Sequence, residues 1–239
     1  MKSDKVNVLL IACSIILQRL LFQSSGIELY KFPFASSLMI FTSQTGNLLL
    51  TLYAFVPIPF ILFGFSGCVK MLIEGYGKVW VIRAYRKEKL FIKTIFQCIS
   101  RVFIIVIYQI LIFCIADGEW KMIPRNQLLL ILLIYYLGMI TMVILQCLLE
   151  LWFDVSYANL ICNIFFVGSL FCGTMLLTTE KLKWIGVLLF PNMMFGTRNG
   201  VIQQEIINID YRYPLVYMVS LTIGILCLAA FMFKKKDVY

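Results

Sequence analysis

The sequence predicts an all-α membrane protein with six transmembrane helices. Of its 239 residues, 62% are hydrophobic and 14% are charged, whereas soluble domains are about 45–50% apolar and about 25% charged. The apolar residues form continuous runs close to the ~20 residues that a helix needs to cross the hydrocarbon layer. Because these runs do not alternate between apolar and polar residues, they favour helices over a β-barrel.

Six runs meet this length requirement, and together they predict one membrane domain over residues 1–239. The predicted spans are 6–22, 48–69, 94–115, 127–153, 159–177 and 214–233. The fourth is long enough to tilt or to project beyond the headgroups. In the second, Pro57 and Pro59 each remove a helical hydrogen bond, so we expect a kink in mid-membrane. The first lacks an A-x-A-like cleavage site, which favours a retained helix over a signal peptide.

The distribution of lysine and arginine predicts that both termini are cytoplasmic. With this orientation, twelve basic residues lie on the cytoplasmic side and seven lie in the outer loops, as the positive-inside rule requires. The densest cluster is the segment 74–93, "EGYGKVWVIRAYRKEKLFIK", and the chain ends in "FKKKDVY". The connection between the fourth and fifth spans instead carries Glu150 and Asp154. These acids either face the basic loop or are solvated charges at helix ends.

Composition disfavours several classes of function. The net charge of +9 resides in loops between apolar runs, and no basic surface domain with interleaved aromatic residues is present to bind nucleic acid. The chain has no histidine, which is the commonest general base and metal ligand. The eight cysteines lie in or beside the apolar runs without CxxC spacing, so we interpret them as small buried hydrophobes. We therefore predict no catalytic, cofactor-binding or metal-binding residue.

An apolar segment too short to span lies between the fifth and sixth spans. It runs from Trp184 to Phe195 and is interrupted by Pro191 and Asn192. We predict a short helix, a break near Phe190 and Pro191, and a second short element. This hairpin either re-enters the bilayer where protein covers its backbone, or lies flat among the headgroups with Trp184 as an anchor.

Five of the polar residues within the spans are candidates for a functional or structural role. Arg19 and Arg101 lie at depths where charges are often functional, yet both are close enough to an interface to snorkel. Tyr108, Gln109 and Gln146 lie deeper. We predict that these three line a polar seam between helices or form structural hydrogen bonds across it.

This architecture resembles the permease subunits of type-2 ATP-binding-cassette exporters. The shared features are six spans, a basic loop after the second span, a broken apolar hairpin before the sixth span, and a basic tail. The local detail is similar to small Gram-positive permeases that handle antimicrobial peptides, whose second span leads into a G-x-G-K…R…R…K loop like Gly75 to Lys93. Many relatives begin with an amphipathic basic helix on the inner surface, whereas here the first apolar run begins at Val6. Either that helix is absent, or the start of the run lies in the interface.

The resemblance implies a cytoplasmic coupling helix between the second and third spans, which would sit in a groove of an ATPase subunit. The residues implied to dock there are Val79, Ile82, Arg83, Tyr85, Arg86, Lys87 and Lys89. It also implies two ATPase copies that carry ATP and Mg, a second permease copy or a homologous permease, surrounding membrane lipid, and a location in the plasma membrane. The chain itself has no G-x-x-x-x-G-K-[ST] motif, so we expect no enzyme activity in it.

The function implied by the resemblance is export or expulsion of an amphipathic or lipid-like substrate, with an antimicrobial peptide as the candidate, as in bacteriocin or lantibiotic immunity. The alternative is an immunity protein without an ATPase, or an ion-coupled carrier. Carriers usually place acids at membrane depth, and no Asp or Glu falls in the middle of a predicted span.

Overall fold

The computed structural model describes residues 2–24, 52–74, 87–117, 125–179, 181–196, 198–201 and 209–235, and every regular element in these ranges is helical. Six helical segments are long and apolar enough to cross a membrane, so the predicted number of spans is confirmed. They are Val6–Ser24, Leu52–Ile73, Lys89–Ile115, Gln127–Leu149, Val155–Gly173 and Arg212–Lys235. We number these spans one to six in chain order.

Five spans are each formed by one long helix. These helices cover Lys2–Ser24, Lys87–Asp117, Arg125–Leu149, Val155–Thr178 and Arg212–Lys235. The helix of the fourth span, Arg125–Leu149, ends earlier than predicted, because residues 150–153 form turns that lead directly into the helix of the fifth span. The connection between the fifth and sixth spans contains a short helix, Lys183–Leu188, and a 3-10 segment, Phe190–Met194.

The second span is divided instead of continuous. A helical turn at 52–55 is followed by a helix at Pro57–Phe65, a turn at 66–69, and a short helix at Lys70–Glu74. The first interruption, at Val56, is the expected proline break. It places Pro57 at the start of a helix, where a missing N–H removes no helical hydrogen bond. The second interruption was not predicted from the sequence.

The fourth span is the centre of the bundle. It packs against the second, third, fifth and sixth spans and against the 3-10 segment. Of its residues 56% are buried within the protein, compared with 11% for the sixth span. Gly138 permits this close packing, because a Cβ atom there would overlap the side chain of Met194. Apolar helices gain little from leaving lipid for one another, so such close contacts hold the bundle together.

Contacts between side chains sort the ends of the spans into two faces. The start of the third span meets the end of the sixth, where the rings of Phe91 and Phe233 stack with centroids 4.8 Å apart. The end of the second span likewise meets the start of the fifth, where Lys70 pairs with Asp154. We call this side the basic face, because the span ends here carry Lys70, Lys89, Lys93, Lys234 and Lys235.

The remaining contacts form the opposite face. Phe22, at the end of the first span, packs edge-to-face against Tyr53 and Phe113, with centroid distances of 5.8 and 6.4 Å. The Tyr217 hydroxyl, near the start of the sixth span, donates to the carbonyl of Leu188 at 2.7 Å. Successive spans therefore run in alternate directions, and the helix ends at Glu74 and Lys87 share one face with both terminal helix ends.

Two glycines of the fifth span provide a test of this packing. A Cβ atom on Gly173 would overlap the Asn192 amide, whereas a Cβ atom on Gly168 would have no heavy atom within 4 Å. We expect Gly173→Ala to destabilise the protein by about 1–3 kcal/mol through overpacking. Gly168→Ala, the matched control, should be neutral or up to about 1 kcal/mol more stable through helix propensity. Thermal unfolding in detergent measures both, and equal shifts would contradict the packing described for the hairpin.

Candidate functional site

Polar groups gather at the basic face around the turn 66–69, which interrupts the second span. Ser66 leaves the helix with φ −59° and ψ 134°. Gly67 has φ +80°, a left-handed conformation that glycine adopts without a steric penalty. Such a break takes backbone N–H groups out of the helical pattern, and they need other acceptors when buried.

The carboxylate of Glu150 supplies these acceptors. Its Oε1 accepts the N–H of Gly67 at 2.8 Å, and its Oε2 accepts the N–H of Val69 at 3.2 Å. Glu150 follows the fourth span directly and is 3% exposed. One side chain therefore joins the end of the fourth span to the broken end of the second.

Ser66 extends this connection to the fifth span. Its hydroxyl donates to the carbonyl of Leu62 at 3.1 Å and accepts the side-chain amides of Gln146 and Asn159 at 3.0 and 2.9 Å. The Gln146 amide also lies 3.4 Å from Glu150 Oε1. We call Ser66, Gly67, Val69, Gln146, Glu150 and Asn159 the break cluster.

An ion pair lies on the solvent side of the break cluster. The Lys70 ammonium is 2.6 Å from a carboxylate oxygen of Asp154, and the two side chains are 29% and 69% exposed. Asp154 is therefore an exposed charge at a helix start, which was one of the two sequence-based alternatives, and its partner Lys70 precedes the segment 74–93. For Glu150 both alternatives are wrong, because its carboxylate is buried and binds backbone N–H groups. Exposed pairs are typically worth about 0–1 kcal/mol, so the Lys70–Asp154 pair orients the chain more than it stabilises it.

The pKa values of Glu150 and Asp154 are shifted in opposite directions. Burial raises the pKa of Glu150 above its usual 4.5, and the hydrogen bonds from the backbone of Gly67 and Val69 oppose that rise only in part. The hydrogen bond and charge of Lys70 lower the pKa of Asp154 below its usual 3.8. The buried carboxyl group therefore holds a proton more readily than the exposed one beside it.

The three residues of the predicted polar seam belong to different environments. Gln109 is fully buried, and its Oε1 accepts the hydroxyl of Tyr135 at 3.1 Å, which joins the third span to the fourth. Gln146 belongs to the break cluster. Tyr108 lines a cavity beside Arg101. Gln109 and Gln146 thus each form a hydrogen bond between spans, but with separate partners.

The hairpin between the fifth and sixth spans has the predicted short helix, a break at Leu189 and a second short element. Pro191 and Asn192 are buried, whereas Trp184 is exposed and contacts the Tyr213 ring edge-to-face at 5.7 Å. The Asn192 amide donates to the carbonyl of Gly186 at 3.3 Å. Protein contacts therefore cover the broken half of the hairpin.

Arg198 also contacts the hairpin, although its position in the sequence predicts only a basic residue of an outer loop. Its guanidinium donates to the carbonyl of Leu170 at 3.2 Å and to the side-chain oxygen of Asn192. Burial lowers the pKa of Arg198 to about 9. The "TRNG" sequence after the hairpin therefore contains a structural arginine.

Most of the implied coupling helix lies outside the described residues. Val79, Ile82, Arg83, Tyr85 and Arg86 fall in 75–86, which the structure does not describe. Lys87 is the first residue of the long helix that forms the third span, and the Lys89 side chain is exposed. The break cluster is separated from this segment only by Lys70–Glu74.

Sequence reasoning missed Ser66, Gly67 and Asn159 as site residues. The Ser-Gly pair in "FGFSGCV" is a turn signal, but it is embedded in an apolar run that reads as one helix. All eight cysteines are free thiols, and among the residues the structure describes there is no metal-binding group of three or more Cys, Asp or Glu.

These features define a multi-pass, all-helical membrane protein with a buried carboxylate at a broken helix. The chain belongs to the family described as "Protein of unknown function (DUF2705)", which matches residues 11–239. It is 27% identical over 216 residues to the uncharacterized protein YybK of Bacillus subtilis (strain 168), with 86% of each chain covered. No solved structure matches the chain.

The pKa of Glu150 predicts how stability depends on pH. Because the folded state raises this pKa, the carboxyl group stabilises the fold fully below about pH 4.5, and this contribution is lost as pH rises through the folded pKa. Glu150→Gln cannot titrate. We therefore expect the melting temperature of the wild type to fall relative to that of Glu150→Gln as the pH rises above about 4.5.

Asp154→Asn is the matched control, because the pKa of Asp154 is lowered in the folded state whereas that of Glu150 is raised. The stabilisation by Asp154 is present above its unfolded pKa and is lost as pH falls through the lowered folded pKa. The wild type should therefore lose its advantage over Asp154→Asn in acid. A pH-independent difference for Glu150→Gln would show that Glu150 is not desolvated.

Proposed function

We propose that this protein is the membrane-spanning subunit of an ATP-binding-cassette transporter that exports or expels an amphipathic or lipid-like substrate. In this proposal the basic face is cytoplasmic and the segment 74–93 contains the coupling helix. ATP and Mg bind to two copies of a separate ATPase subunit. A second permease, either identical or homologous, completes the pathway in the plasma membrane.

The observation that carries the proposal is the attachment of the basic loop to the bundle. The loop begins beyond Lys70–Glu74, and Glu150 and Asp154 tie the start of that helix to the fourth and fifth spans. A force applied to the loop would therefore reach three spans through a few short contacts. Continuous packing of this kind moves as a unit instead of deforming gradually.

The lipid-facing composition supports an amphipathic substrate, for which an antimicrobial peptide is the candidate. Large apolar side chains such as Phe96, Phe103 and Phe231 remain exposed on the third and sixth spans. Between two permease copies such surfaces would bind apolar groups without regard to sequence. This role corresponds to immunity against bacteriocins or lantibiotics.

Charge reversal in the loop tests the docking role. We expect the wild type, purified from its native host, to retain an ATPase subunit through the positive charges of Arg83, Arg86 and Lys87. Reversal of all three to Glu should reduce the retained ATPase at least tenfold, because like charges across a docking surface cost several kcal/mol. Quantitative mass spectrometry of the purified complex measures the ratio of the two subunits.

The matched control reverses the charges of Lys234, Lys235 and Lys236, which lie in the sequence at the end of the sixth span and outside the loop. This variant should retain the ATPase at the wild-type level. Normal ATPase binding and normal ATP-dependent extrusion by the loop variant would refute the docking role. Equal losses in both variants would instead indicate a general requirement for positive charge.

A second candidate function is an ion-coupled carrier, which Glu150 favours. A buried carboxyl group with a raised pKa at a broken helix is the kind of residue that proton-coupled carriers use. In that case transport in vesicles would require an ion gradient and would not depend on ATP. It would be abolished by the Glu150→Gln substitution. Transport that requires ATP and continues in Glu150→Gln would exclude the carrier.

A further inference from the structure

A cavity of about 440 Å³ lies between the first, second and third spans, near the basic face. Its walls are mostly apolar and include Ile11, Phe65, Ile104 and Ile105. Arg101 and Tyr108 of the third span provide polar groups in this lining. The volume lies within the range of about 300–1,000 Å³ that is typical of small-molecule sites.

Arg101 lies deep for a charged residue. It follows Thr94, where the apolar run of the third span begins, by seven residues, or about 10 Å along the helix axis. The acids whose side chains the structure describes, Glu150, Asp154 and Asp210, form no ion pair with it; Glu150 binds Gly67 and Val69, and Asp154 binds Lys70. A cation at this depth is costly without a counter-charge.

The cavity opens toward lipid. Val8 and Ile104 are both lining residues and surface residues, being 67% and 65% exposed. They belong to the first and third spans, whose outward sides face acyl chains in a bilayer. A ligand that diffuses within the membrane can therefore enter from the side.

We propose that this cavity binds an anionic phospholipid. Its phosphate would accept hydrogen bonds from the Arg101 guanidinium, which can extend toward the headgroup level. One acyl chain would lie along Ile11, Phe65 and Ile105. A soluble anion would leave these apolar walls unfilled, so an amphiphile fits the lining better.

A second copy of the chain fits this site less well. It would need to present a carboxylate at the depth of Arg101. Of the acids in the described ranges, six lie outside the spans and Glu150 is buried; the six are Asp4, Glu74, Glu88, Asp117, Asp154 and Asp210. The lipid site does not depend on whether an ATPase or an ion gradient drives the protein.

Native mass spectrometry of the delipidated full chain tests the proposal, with phosphatidylglycerol and phosphatidylcholine titrated as probes. We expect the wild type to prefer phosphatidylglycerol. Arg101→Gln should weaken its binding about tenfold, or by about 1.4 kcal/mol, because it removes a charge-assisted hydrogen bond to the phosphate, and it should leave phosphatidylcholine binding unchanged. Lys93→Gln removes the same charge from an exposed position on the same helix, outside the cavity lining, and should bind like the wild type.

A second variant tests the cavity apart from the charge. Ala12 is a lining residue, and Ala12→Phe should fill part of the space and reduce phosphatidylglycerol binding while Arg101 remains. Equal binding by the wild type and Arg101→Gln would overturn the proposal. So would equal losses in Arg101→Gln and Lys93→Gln, which would indicate general attraction to anions. A wild-type dimer that excludes lipid and dissociates in Ala12→Phe would identify a second copy as the occupant.

Discussion

The arrangement of this protein depends on the hydrogen bonds between the Glu150 carboxylate and the backbone N–H groups of Gly67 and Val69. A helix that breaks within a membrane protein exposes backbone groups that lipid cannot satisfy. Here the broken second span obtains its acceptors from a residue at the end of the fourth span. The positions of both spans, and of the short helix Lys70–Glu74 that follows the break, are therefore fixed together.

At the opposite face, a buried cation donates hydrogen bonds to oxygen atoms of a second broken segment and of the fifth span. The hairpin before the sixth span is broken at Leu189, and the guanidinium of Arg198 donates to the carbonyl of Leu170 and to the Asn192 side chain. An acid thus accepts from free N–H groups at one face, and a base donates to oxygen atoms at the other. Both groups are buried. Burial raises the pKa of Glu150 and lowers the pKa of Arg198, because it disfavours the charged form of each group. Each face consequently combines a non-helical segment with a charge that holds it in place.

Much of the fold follows from length and composition alone, because an apolar run of sufficient length can satisfy its backbone in lipid only as a helix. The proline break at Val56 and the two-part hairpin were predictable for the same local reasons. The break at Ser66 was not, since "FILFGFSGCV" has no interruption in its apolar character apart from one Ser-Gly pair. The role of Glu150 was also beyond local reasoning, because its partners lie more than eighty residues earlier in the chain. Arg101 was recognised by its depth, but the cavity beside it is formed by three separate spans.

Hydrogen exchange of the backbone amides at 66–69 tests the central claim most directly. In the wild type, peptides that contain Gly67 and Val69 should exchange slowly, although these residues lie in a turn. In Glu150→Ala the same peptides should exchange much faster, while peptides from the centre of the fourth span, around Met139, keep their protection. Fast exchange at 66–69 in the wild type, or identical exchange in both proteins, would contradict the claim that Glu150 holds the broken helix.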